Sequence, residues 1–102
     1  MLNQYKLYTN EMCQKKGWDN SNIQQVWLLF TEEVGELASA IRQRENLFKK
    51  NMKKQNGVDV QSELGDVFSY LFQISYMLNI DLDDMWTKHQ EKIVNRKYSD
   101  II

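Results

Sequence analysis

The chain has 102 residues, 42% hydrophobic and 12% aromatic, which suits one packed domain over residues 1–102 and leaves no room for a second. Its 13 basic and 14 acidic residues leave a formal charge of −1, which speaks against a nucleic-acid or membrane-surface binder, since either needs a clear basic excess. A single cysteine, Cys13, excludes an internal disulfide and a paired-cysteine zinc site, and the longest apolar run, Val26 to Phe30, is far too short to cross a bilayer, so the expectation is a soluble cytoplasmic protein.

Four helices are predicted, and the absence of proline leaves none of them interrupted. The first covers about Leu2 to Lys16 and stops at Gly17, a residue that terminates helices by accepting a left-handed backbone. Trp18-Asp19-Asn20-Ser21-Asn22 reads as a turn rich in capping residues. The second helix runs from about Ile23 to Glu45, with Val26, Leu29, Phe30, Leu37, Ala40 and Ile41 recurring on one stripe. Asn46 to Gly57 is a polar connection carrying Lys49, Lys50, Lys53 and Lys54, a solvated charge run or a phosphate-attracting loop.

The third helix, about Val58 to Leu78, is apolar on two faces: Val60, Val67, Tyr70, Ile74 and Met77 on one, Leu64, Phe68 and Phe72 on the other. Phe68, Phe72 and Tyr76 read as core or subunit interface rather than base stackers. Asp81 caps a fourth helix whose buried stripe is Leu82, Met85, Trp86 and Ile93, with His89 a partly buried structural residue on it. A domain of this size covers only a little over about 60% of its chain surface. The expected architecture is therefore all-α: a four-helix chain whose bundle is completed by homodimerisation, or by a dimer of dimers.

Glu33-Val34-Gly35-Glu36 in the second helix is echoed by Glu63-Leu64-Gly65-Asp66 in the third. Residues three apart on a helix point the same way, so each motif presents two acids on one face. At 100° per residue, Glu33 and Glu36 share the stripe of Val26, Leu29 and Ala40, while Glu63 and Asp66 share that of Val60, Tyr70 and Ile74. Four acids are aimed at the core. Like charges at that spacing repel by roughly 3–4 kcal/mol at an effective dielectric of 20, and desolvation adds to the cost. No lysine or arginine falls in either stripe to offset it. All-oxygen ligands select a hard cation, so Mg²⁺ is the expected occupant, with Mn²⁺ a substitute. Gly35 and Gly65, each costing about 1 kcal/mol inside a helix, suggest that a backbone or ligand comes close there.

Glu32-Glu33-Val34-Gly35-Glu36-Leu37-Ala38 followed by Glu63-Leu64-Gly65-Asp66-Val67 resembles the E-E-x-x-E…E-x-x-D signature of the MazG-like nucleotide pyrophosphohydrolases, in the all-α NTP pyrophosphatase superfamily. The resemblance runs from about Gly17-Trp18 to Tyr98. It implies a magnesium-dependent hydrolase that converts a nucleoside triphosphate to the monophosphate and pyrophosphate, in a nucleotide-pool-cleansing role. It further implies Glu33, Glu36, Glu63 and Asp66 as metal ligands and Glu32 as an auxiliary acid. Tyr70 resembles a tyrosine near the phosphates in dCTP-pyrophosphatase-like members, and Trp18 a base-stacking tryptophan of that branch. Lys92, Asn95, Arg96 and Tyr98 resemble a closing segment that contacts phosphate or sugar, although Asn95 to Tyr98 is one residue shorter here and Glu91 stands where a lysine would fall. Gln43 occupies the position of that branch's second tryptophan, so base specificity does not carry over. The rival expectations are a phosphoribosyl-ATP pyrophosphohydrolase-like enzyme and a helical dimerisation module that binds nucleotide without turnover.

Overall fold

A computed structural model describes residues 1–47 and 59–96. Its elements are α1 (Leu2–Lys16), α2 (Ile23–Arg44), α3 (Val60–Met77) and α4 (Leu82–Asn95), with no strand among the described residues. Lys49, Lys50, Lys53, Lys54 and Tyr98 lie outside the described residues.

Local chemistry sets each boundary. Gly17 closes α1 in the left-handed region at φ 71°, where the Trp18 N–H donates to the Cys13 carbonyl at 2.8 Å. Asn22 opens α2 through a capping box: its side-chain oxygen accepts from the Gln25 N–H, and the Gln25 side chain accepts from the Asn22 N–H, both at 2.9 Å. Asp59 caps α3 by accepting from the Gln61 N–H at 2.9 Å, which starts the helix at Val60 rather than at Val58. Asn79, at φ 55°, turns the chain out of α3, and Asp81 caps α4 as predicted by accepting from the Asp84 N–H at 3.0 Å.

α2 and α3 pack side by side as a helical hairpin, α1 lies against α3, and α4 meets α1. The α1–α4 junction is two helix N-termini that cap one another. Asp83 of α4 accepts from the Leu2 N–H at 2.7 Å, from the Asn3 N–H at 3.3 Å and from the Met1 ammonium at 2.9 Å. In return the Asn3 side-chain oxygen accepts from the Leu82 N–H at 2.8 Å, and the Asn3 amide donates to Asp81 at 2.9 Å. These bonds supply first-turn N–H groups that no intrahelical partner reaches.

The core within one chain is thin. Cys13, Val26, Ala40, Val67 and Leu82 are the buried apolar residues among those described. The expected buried stripe of α4 needs correction: Leu82 is covered, but Met85, Trp86 and Ile93 are exposed. His89 is exposed too, its ring 5.8 Å from that of Trp86, because α4 leaves the rest of the chain after its first turns. Leu29 and Ile41 of α2, and Leu64, Phe68, Leu71 and Tyr76 of α3, also face outward. A Cβ on Gly35 or Gly65 would meet nothing within 4 Å, so within one chain neither glycine makes room for a neighbour. No helix among the described residues is long and apolar enough to cross a membrane.

Candidate metal centre

The seam between α2 and α3 brings together acids that lie 30 residues apart in the chain, such as Glu33 and Glu63. One carboxylate oxygen from each of Glu33, Glu36 and Glu63 lies within 4.8 Å of the others, a spacing that one cation could bridge. Two of the carboxylate oxygens tell more. Oε2 of Glu33 and Oε2 of Glu63 are hidden from solvent and have no hydrogen-bond partner among the described residues. A hidden carboxylate oxygen without a donor carries its full desolvation cost.

Proton affinity registers that cost. Burial pushes the Glu33 carboxyl up from 4.5 to about 7, reinforced by the shared hydrogen bond and charge of Glu36 and by the charges of Asp66 and Glu63. Glu63 moves the same way, first from burial and then from the charge of Glu36, while its hydrogen bond with Glu33 pulls in the other direction. A hard divalent cation fits this donor set, because it would satisfy the orphaned oxygens and cancel the mutual repulsion together.

The expectation that all four acids point into a dry interior is met only in part. Glu33 and Glu63 are half-buried, whereas Glu36 and Asp66 are exposed at the rim. Asp66 stands outside the tight trio, although its charge acts on Glu33 and Glu63. Glu32 is exposed, outside the tight trio, and its charge acts on Tyr70.

Beside the acids opens a chamber of about 580 Å³, walled by α1, the α1–α2 turn, α2 and α3. Glu33, Asp66 and Tyr70 border it at the acid end, and Trp18 lines it from the turn. Burial raises the proton affinity of the Tyr70 hydroxyl, helped by Glu33 and Asp66, so the hydroxyl stays a donor at neutral pH. Trp18 is exposed, with the Lys16 ammonium 5.3 Å from its ring centre. Lys92, Asn95 and Arg96, at the end of α4, neither line this chamber nor pair with its acids.

Motif reasoning missed the contribution of α1, which lines the chamber with Tyr8, Thr9, Met12 and Cys13, and that of Gln73 on α3. A signal was there. Thr9, Met12 and Cys13 recur at helical spacing, and Gln73 continues the Asp66–Ser69–Tyr70 stripe by one turn.

Residues 21–99 match the family model of the MazG nucleotide pyrophosphohydrolase domain. The chain belongs to that family, whose matched region contains both acid motifs and all of α2 to α4. Among curated proteins it is similar to the uncharacterized protein YvdC of Bacillus subtilis (strain 168), with 30% identity over 95 residues, 87% of this chain and 89% of that protein. No solved structure matches it.

Proposed function

We propose that this protein is a magnesium-dependent pyrophosphohydrolase that converts a nucleoside triphosphate and water to the nucleoside monophosphate and pyrophosphate, removing unwanted nucleotides from the pool. The observation that carries this reading is the pair of hidden, unpartnered oxygens on Glu33 and Glu63, inside a trio of acids spaced for one cation. Glu33, Glu36 and Glu63 would hold Mg²⁺, or Mn²⁺ in its place, with Asp66 completing the set from the rim. When bound, the cation supplies charge neutralisation at the phosphates and a water acidified enough to attack.

The chain's own groups do the rest. Glu36, at the solvent edge of the trio, or Glu32 beside it on α2 would orient the attacking water and take its proton. The Tyr70 hydroxyl, kept protonated, donates to a phosphate oxygen at the mouth of the chamber. Trp18 and the walls of the chamber receive the nucleoside. Lys92, Asn95 and Arg96 would act on the phosphates from a second copy, because α4 carries Lys92 and Asn95 away from its own acids, and Tyr98 would keep the phosphate or sugar contact that the family resemblance implies.

Dimerisation belongs to the same proposal. A folded monomer of this mass exposes roughly 6,000 Å², whereas this chain exposes 8400 Å². Its radius of gyration is 16.9 Å, against about 13 Å for a compact domain of its length. Many large apolar side chains among the described residues are exposed as well. Leu64, Phe68 and Leu71 supply an apolar face for dimerisation. Light scattering at micromolar concentration is expected to give at least twice the monomer mass, and a monomer would overturn this part.

The activity is tested by measuring pyrophosphate release from a panel of ribo- and deoxyribonucleoside triphosphates with Mg²⁺, beside Glu63→Gln and Asp66→Asn. Release by the natural protein that collapses in both variants is the expected result. No release from any nucleotide would defeat the reading.

A further inference from the structure

The charged residues that line the chamber are Glu33 and Asp66, and among the described residues no lysine, arginine or histidine lines it. The rest of the lining mixes aromatic and neutral-polar side chains with apolar ones such as Met12, Val26 and Leu29, the chemistry of a site for an uncharged, flat, hydrogen-bonding ring. Gln73 stands on the same stripe of α3 as Asp66 and Tyr70. Seven residues of helix place it about 10 Å along the axis from Asp66, comparable with the reach of a nucleotide from its phosphates to the outer edge of its base.

Gln73 is also held. Its side-chain Nε2 donates to the Trp18 carbonyl at 3.4 Å. A carbonyl only accepts, so this contact turns the nitrogen end of the amide toward Trp18 and sets which end is which. The Gln73 Oε1 is left without a donor among the described residues. A glutamine free to flip could suit either a donor or an acceptor edge, whereas a tethered one discriminates.

We propose that Gln73 is the base-reading residue of this protein, its Oε1 accepting from a ring or exocyclic N–H of a nucleobase seated in the chamber between α1 and α3. The inference rests on the nucleotide reading given above and adds a specificity determinant to it. Gln73 would belong to ground-state recognition. It touches the base and not the scissile bond, so its loss acts on affinity and KM more than on kcat.

The test is calorimetric titration of the full chain with the four nucleoside monophosphates, independent of any turnover, for the natural protein and for Gln73→Met. Methionine keeps the length and helix preference of glutamine and removes its hydrogen bonds. The natural protein is expected to separate its best from its worst base by roughly tenfold, the scale of one hydrogen bond left unmade, and Gln73→Met to bring the bases to within about threefold of one another. Thermal melting of the variant guards against a folding defect. As a ligand-side control that needs no mutation, methylating the N–H of the preferred base should weaken binding to the natural protein and leave binding to Gln73→Met as it was. Retained discrimination in Gln73→Met, or no monophosphate binding by the natural protein, overturns the inference. Pyrophosphate release in the panel assay stands or falls separately, so a protein that hydrolyses triphosphates yet ignores residue 73 would sink this assignment and leave the activity intact.

Discussion

Asp81 and Asp83 at the α1–α4 junction and Glu33 and Glu63 on the α2–α3 seam are the same functional group held in opposite ways. Asp83 is wrapped in donors: the Met1 ammonium and the N–H groups of Leu2 and Asn3. Asp81 accepts from the Asp84 N–H and the Asn3 amide. These bonds hold both carboxyls below the ordinary aspartate range, the Asp84 N–H contributing most for Asp81 and the amino terminus most for Asp83. On the seam one oxygen of Glu33 and one of Glu63 meet no donor among the described residues, and burial drives both carboxyls upward, reinforced by the hydrogen bond and charge of Glu36. An acid satisfied by its own fold is architecture. An acid left unsatisfied in a half-buried place is a candidate for a cation, and the contrast separates the two without reference to motif.

The comparison breaks most plainly on activity. Glu63→Gln is expected to lower kcat/KM for pyrophosphate release by at least about 10²-fold, since a lost metal ligand forfeits several kcal/mol of charge stabilisation at the phosphates. Asp83→Asn should leave the Mg²⁺ dependence of the reaction where it was. Equal losses in the two variants would mean that the two groups of acids are not different in kind. Next in size is the cation's effect on folding. At a magnesium concentration a hundredfold above its Kd, linkage predicts a rise in Tm on the order of 10 °C, and Glu33→Gln should remove most of it. A Tm indifferent to magnesium would argue against a cation at the seam.

A smaller effect sharpens the contrast through pH. In chelator, the raised proton affinity of Glu33 makes its contribution favourable below its ordinary value of 4.5, and that contribution is lost as the pH rises through about 7. Glu33→Gln should therefore melt a few degrees higher than the natural protein at pH 8, roughly 5 °C, and the gain should vanish near pH 4.5. Scanning calorimetry in buffered chelator measures both. The sign reverses at the other acids. Asp83, with its affinity lowered, stabilises above the ordinary aspartate range and loses that contribution as the pH falls below it. Asp83→Asn should cost about 1–3 °C at pH 7 and nothing in strong acid. A stabilised Asp83→Asn at neutral pH would contradict the junction described above.

Much of this was legible in the residues. Gly17 and Asp81 marked the end of α1 and the start of α4, because a left-handed stop and an N-terminal cap are local chemistry. The i, i+3 pairs put Glu33 beside Glu36, and Glu63 on the face of α3 that meets them, because helical spacing is fixed by the backbone. The stripe of Met85, Trp86 and Ile93 misled for the complementary reason. Amphipathic spacing says which side of a helix seeks cover, and not whether its own chain provides it. The reciprocal caps of Asp83 and Asn3 join residues 80 apart in sequence, a distance over which no periodicity speaks.

The sequence by itself determined an all-helical chain, the start and stop of most of its elements, and which acids share a face. All of these follow from turns of 3.6 residues and from groups within a few positions of one another. Only the tertiary structure decided that Glu33 and Glu63 each hide an oxygen without a donor while Glu36 and Asp66 stay at the rim, and that α1 and Gln73 close a chamber beside them. Desolvation and distance between helices depend on how whole elements pack, and packing is a property of the assembled surfaces rather than of any window along the chain.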